Sequence, residues 1–113
     1  MGIGERIAAK RSAERRLLEV AEWGEDEPLQ LFISALTCHD VDKIQRKHKD
    51  FLTNMSVGAM VDLIIQKAED KAGDKVFTLE DRPFLMREPV TLISRIAGEM
   101  FATVIPIGEQ GND

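Results

Sequence analysis

The sequence predicts an α+β domain, mostly helical, with four to five helices and one β-hairpin packed against them. Three observations predict it. Apolar residues recur at three- and four-residue steps through most of the chain. The exception is a period-two stretch over residues 17–33, interrupted by a Trp-Gly turn. The composition, 43% hydrophobic and 31% charged over 113 residues, suits one globular domain with a single core.

Glu5 to Arg16 reads as the first helix, built from Glu, Arg, Ala and Lys with no Pro or interior Gly. Its apolar residues, Ile7, Ala8, Ala9 and Ala13, are mostly small, so weak packing and a fraying first turn are expected. From Leu17 to Ala21 the period changes. Leu18 and Val20 fall on one face, with Leu17, Glu19 and Ala21 on the other. Trp23-Gly24 and the run Glu25, Asp26, Glu27, Pro28 form a turn, with Gly24 tolerating positive φ. Leu29 to Ile33 returns as the second strand. A lone hairpin is marginal in water, so it must lie on helices.

Thr37 and Asp40 have the spacing of a capping box and open a helix running to about Phe51. Val41, Ile44, His48, Phe51 and Leu52 mark its inner face. Asn54 or Ser56 caps the next helix, Val57 to Lys71. Val57, Met60, Val61, Ile64, Ile65 and Ala68 make this the core helix, with Gly73 as its C-terminal stop. Thr78 caps a short helix from Glu80 to Met86 that tolerates Pro83 in its first turn, and Pro89 opens the last helix. Val90, Ile93, Ala97, Met100, Phe101 and Val104 form that helix's stripe, widened by Leu92 and Ile96. The chain thus divides into an N-terminal helix (1–16), a core (17–104) and a tail (105–113) expected to be flexible, all within one domain (1–113).

Fifteen Lys and Arg against twenty Asp and Glu leave a net charge of −5, unlike the strongly basic face of a nucleic-acid binder. The one cysteine forms no internal disulfide. Residues 1–16 carry no signal-peptide apolar core, and no apolar run approaches a membrane span, so a cytoplasmic location without membrane contact is expected. Cys38, His39, Asp40, Asp42 and His48 are the candidate metal ligands, but neighbours on a helix diverge and His39 lies too far from His48 for one ion. Cys38 sits near a helix N-terminus without an oxyanion hole or orienting group. The pairs Glu69/Asp70 and Glu80/Asp81 fall on different sides of a helix. No phosphate-binding glycine loop or zinc-protease motif is present. The expectation is therefore no catalysis, no metal and no cofactor. Two basic clusters remain, residues 1–16 at a net +3 and the Lys43–Lys49 stretch with four positive charges. They define the alternative role, a small helical nucleic-acid-binding or regulatory module. Trp23 is either a hairpin anchor at the end of the core or an exposed anchor for another subunit.

Two stretches carry a family likeness: LEVAEWGEDEPLQLFISALTCHD, with its strand, aromatic-Gly turn, strand and Thr-x-x-acid helix start, and FTLEDRPFLMREPVTLISRIAGEMF, with its short helix and Pro-started last helix. With the order and length of the elements between them, residues 17–101 resemble the tail assembly chaperones of long-tailed bacteriophages. The acidic turn after Gly24 and the Cys38-His39 pair depart from that family's pattern. The resemblance implies a non-enzymatic protein of the host bacterial cytoplasm that is absent from the finished virion. Its partners would be the tape measure protein, kept soluble, and the major tail tube protein, recruited to it. Self-association is expected of a protein that coats a long partner. Carried over by position, Trp23, Leu29, Leu31, Ile93, Met100 and Phe101 are the candidate partner-binding residues.

Overall fold

The computed structural model describes residues 2–12 and 15–102. Five helices and a two-stranded antiparallel hairpin follow one another along the chain: α1 (Ile3–Ser12), β1 (Arg15–Val20), β2 (Leu29–Ser34), α2 (Cys38–Lys47), α3 (Val57–Lys67), α4 (Arg82–Leu85) and α5 (Val90–Ala102). A 3-10 turn at Ala21–Trp23 ends the first strand, and another at Leu79–Asp81 leads into α4. The α+β class and its hairpin are as the sequence predicts. Val104 and the tail at 105–113 lie outside the described residues.

Side-chain alternation sets which face of the hairpin is buried. Leu18 pairs with Leu31 and Val20 with Leu29, so these four side chains share one face of the ribbon. Leu17 and Glu19 point the other way and are exposed. The inner face joins α3 and α5 in a single core containing Val20, Leu31, Ile33, Ile64, Ile93, Ile96 and Met100. Helix α3 is the centre of that core. Val61, Leu63 and Ile64 are all fully buried, and only Val57, Gly58, Met60 and Gln66 of the helix escape the buried class. Ser56 caps it, its hydroxyl accepting from the Ala59 N–H at 3.2 Å.

Several boundaries differ from the periodicity, each for a tertiary reason. Strand β1 begins at Arg15, inside the stretch read as helix. Arg15 donates to the carbonyls of Asp70 (3.1 Å) and Lys71 (2.8 Å), while Arg16 reaches Glu99 on α5 at 2.9 Å. Helix α2 stops at Lys47 because His48 turns toward Asp62 and Phe51 folds inward to 1% exposure. Leu52 points outward rather than along the inner face. Helix α3 stops at Lys67, short of Gly73. Glu69 instead pairs with Phe32, extending the free edge of β2 through N–H···O bonds of 2.7 and 3.1 Å. Gly73 occupies the turn that follows, at φ +94°, where a side chain is strained.

Gly24 is needed for space, not for positive φ. Its φ is −101°, but a Cβ there would lie 1.9 Å from the Glu27 carbonyl oxygen. Gly24→Ala should therefore destabilise the domain by about 1–3 kcal/mol through forced overpacking of the loop, read as a lowered melting temperature. Ile64→Asp should abolish the cooperative melt by burying an unpaired charge in the centre of α3. A near-native melt of that variant would mean that α3 is not the core helix.

Candidate functional site

Two polar assemblies hold α3 in place. Its Asp62 is 7% exposed and Lys67 is 7% exposed, so both charges require partners. Lys67 Nζ donates to Asp40 Oδ2 at 2.7 Å and to the Ser34 hydroxyl at 3.1 Å. Asp40 is itself half of the capping box: its carboxylate accepts from the Thr37 N–H at 2.9 Å, and Thr37 Oγ1 accepts from the Asp40 N–H. On the other side of α3, Asp62 accepts from Arg82 Nε at 2.8 Å and faces His48 Nε2 at 2.8 Å. An ionised carboxylate only accepts, so His48 presents its Nε2–H there. Burial pushes the Asp62 carboxyl up, but hydrogen bonds from Arg82 and His48 outweigh it and hold the pKa below the usual 3.8. Asp40 balances the same way, burial opposed by Lys67 and the Thr37 N–H, with a net lowering.

A cleft of about 350 Å³ opens beside this network, between α2, α3 and the segment 75–79. Ile44, Ile65, Phe77 and Leu79 supply apolar walls, and Lys43, Lys47 and Lys75 surround them. Lys75 is anchored by donating to the Gln66 carbonyl. Phe77 also lines a second hollow of about 280 Å³, formed with Trp23, Leu29 and Phe84. The indole N–H of Trp23 donates to Glu88 Oε1 at 2.7 Å, and its ring meets Phe77 edge-on at 5.6 Å. Leu79 at the first cleft and Phe84 at the second stand 69% and 67% exposed. Exposed apolar residues grouped around concave surface mark an interaction surface rather than scatter.

The six partner-binding candidates separate. Trp23 and Leu29 line the second hollow, half-buried. Leu31, Ile93 and Met100 are core, at 0%, 1% and 0% exposure, within the one apolar cluster that the hairpin, α3 and α5 share. No partner of the folded chain reaches them. Phe101 is half-buried, packed edge-on against Phe51 at 5.9 Å.

No protein-family model, curated protein or solved structure matches this chain. Among the described residues no three His, Cys, Asp or Glu side chains are grouped to hold a metal ion. Cys38 is exposed at the first position of α2, and His39 is exposed beside it. No helix of the described residues is long and apolar enough to cross a membrane.

Sequence reasoning missed Lys75, Phe77, Leu79 and Phe84. Their signal was a cluster of apolar residues in a segment too short to bury them. Asp62 and Lys67 also carried a signal, as charges inside the most apolar stretch of the chain. Asp62→Ala should destabilise the fold by about 3 kcal/mol, leaving Arg82 and His48 without their shared acceptor. Because the folded pKa values of Asp40 and Asp62 are lowered, their stabilisation is complete above the unfolded value of 3.8 and is lost as pH falls through the lower folded values. Asp62→Asn should therefore flatten the acid limb of a stability-against-pH curve below about pH 4.

Proposed function

We propose that the chain is a non-enzymatic binding protein of the phage tail assembly chaperone kind, working in the host cytoplasm. In this reading it holds helical segments of the tape measure protein in solution and brings tail tube subunits to them. The observation that carries it is the cleft whose apolar walls, Ile44, Ile65, Phe77 and Leu79, lie among Lys43, Lys47 and Lys75. Such a groove suits one face of an amphipathic helix with acidic residues flanking its apolar stripe. The acidic net charge of the chain would keep such a complex dispersed. The likeness over residues 17–101 supplies the identity of the partner.

A nucleic-acid-binding role would use the same lysines. Against it, Arg46 on α2 is neutralised by Asp42 at 2.8 Å, and the chain as a whole carries a net charge of −5. Co-expression with the tape measure protein of the same genome separates the two roles. Wild-type chain should raise the soluble fraction of that protein. Leu79→Asp combined with Lys43→Glu should abolish the effect without lowering the melting temperature, since both side chains are exposed. Duplex-DNA binding that weakens with salt, with no rescue of the tape measure protein, would overturn the proposal.

A further inference from the structure

The chain has five phenylalanines, one tryptophan and no tyrosine. Half of these rings find their partners elsewhere in the fold. Arg15 lies over the Phe32 ring at 5.1 Å, and Phe51 and Phe101 pair with each other. The other three, Trp23, Phe77 and Phe84, all line the hollow of about 280 Å³. Trp23 and Phe77 meet with their ring planes at 76°, so the hollow has aromatic walls in two nearly perpendicular directions. Phe84 adds a third ring that is 67% exposed, and Leu29 and Leu85 complete the apolar lining.

One charged group lines this hollow, and it is an anion. Glu88 is half-buried, and its Oε1 accepts from the Trp23 indole N–H at 2.7 Å, which fixes the carboxylate beside the ring. Among the described residues Oε2 of Glu88 has no partner, no cation pairs with Glu88, and no Lys or Arg lines the hollow. The short loop joining the Trp23 and Leu29 walls carries Glu25, Asp26 and Glu27, all exposed, and adds negative potential near them. Aromatic faces attract cations through their quadrupole, and a desolvated site strengthens the attraction. The Arg15–Phe32 contact satisfies that preference from within the chain. The Trp23 hollow has the rings and the anion but lacks the cation.

We propose that this hollow binds an arginine side chain from a basic segment of a partner protein. The guanidinium plane stacks on an aromatic wall, its N–H edge donates to Oε2 of Glu88, and the alkyl stem rests on Leu29 and Leu85. Arginine fits better than lysine because its guanidinium is flat and more weakly hydrated than an ammonium. The volume falls just under the roughly 300 Å³ at which small-molecule pockets begin, so it suits one side chain rather than a cofactor. The inference does not depend on the function proposed above, which uses the separate, lysine-ringed cleft of opposite charge.

Trp23 is the one tryptophan, so a single indole N–H resonance reports on the hollow by NMR. Titration with a capped Gly-Arg-Gly peptide should shift that resonance saturably, with a dissociation constant in the millimolar range. The same peptide with citrulline, the neutral isostere of arginine, should leave it in place, and a lysine peptide should bind at least about threefold more weakly. Glu88→Gln keeps an acceptor for the indole but removes the charge, and should weaken arginine binding about tenfold. Phe84→Leu should weaken it about threefold with an unchanged melt, because that ring is exposed. The absence of a saturable indole shift would overturn the proposal, as would equal binding of the citrulline or lysine peptide. So would arginine binding that both substitutions leave intact, or that moves the Ile44 and Ile65 methyl resonances of the lysine-ringed cleft instead of the indole.

Discussion

The burial of α3 is the constraint on which the other elements depend. A helix enclosed on nearly every side must be apolar nearly all round, and this one is, apart from Asp62, Lys67 and Gln66. Each buried charge then dictates the position of something distant in sequence. Lys67 requires Asp40, which is available only if Thr37 and Asp40 have closed the start of α2. Asp62 requires His48 and Arg82, and so sets where α2 ends and where α4 begins. Among the described residues no buried side-chain nitrogen or oxygen lacks a partner. A half-satisfied set of these groups would be worse than an apolar core. The charges therefore act as register pins: their pairing selects one arrangement of helices around an otherwise permissive apolar centre.

The same arrangement leaves the surface concave. Segment 68–79 runs back from α3 along β2, pairing through Glu69, and delivers Phe77 between the core and solvent. Phe77 faces a cleft ringed by lysines on one side and a hollow edged by Glu88 on the other. Neither surface belongs to one element. Lys43 and Lys47 come from α2, Lys75 and Phe77 from the return segment, and Trp23 and Leu29 from the hairpin. Bidentate pairing of Arg95 with Glu22, at 2.9 and 3.0 Å, ties the hairpin end to α5. Exposed pairs of this kind add little stability, and their consequence here is orientation.

Within the sequence, local chemistry was legible and pairing was not. The hairpin faces, the Thr37, Ser56 and Thr78 caps and the apolar stripe of α3 rest on interactions spanning four residues or fewer, or on a simple period. The chain itself determined those, together with the α+β class. Helix ends were a different matter. The strand assignment of Arg15 and the stops at Lys47 and Lys67 depend on Asp70, Asp62 and Phe32, partners 14 to 55 residues away. Of the candidate binding residues, Trp23 and Leu29 line a hollow, whereas Leu31, Ile93 and Met100 are sealed in the core. An apolar side chain looks the same in a sequence whether it faces a core or a partner. Only the tertiary structure separates the two, because exposure depends on what the rest of the chain places over it.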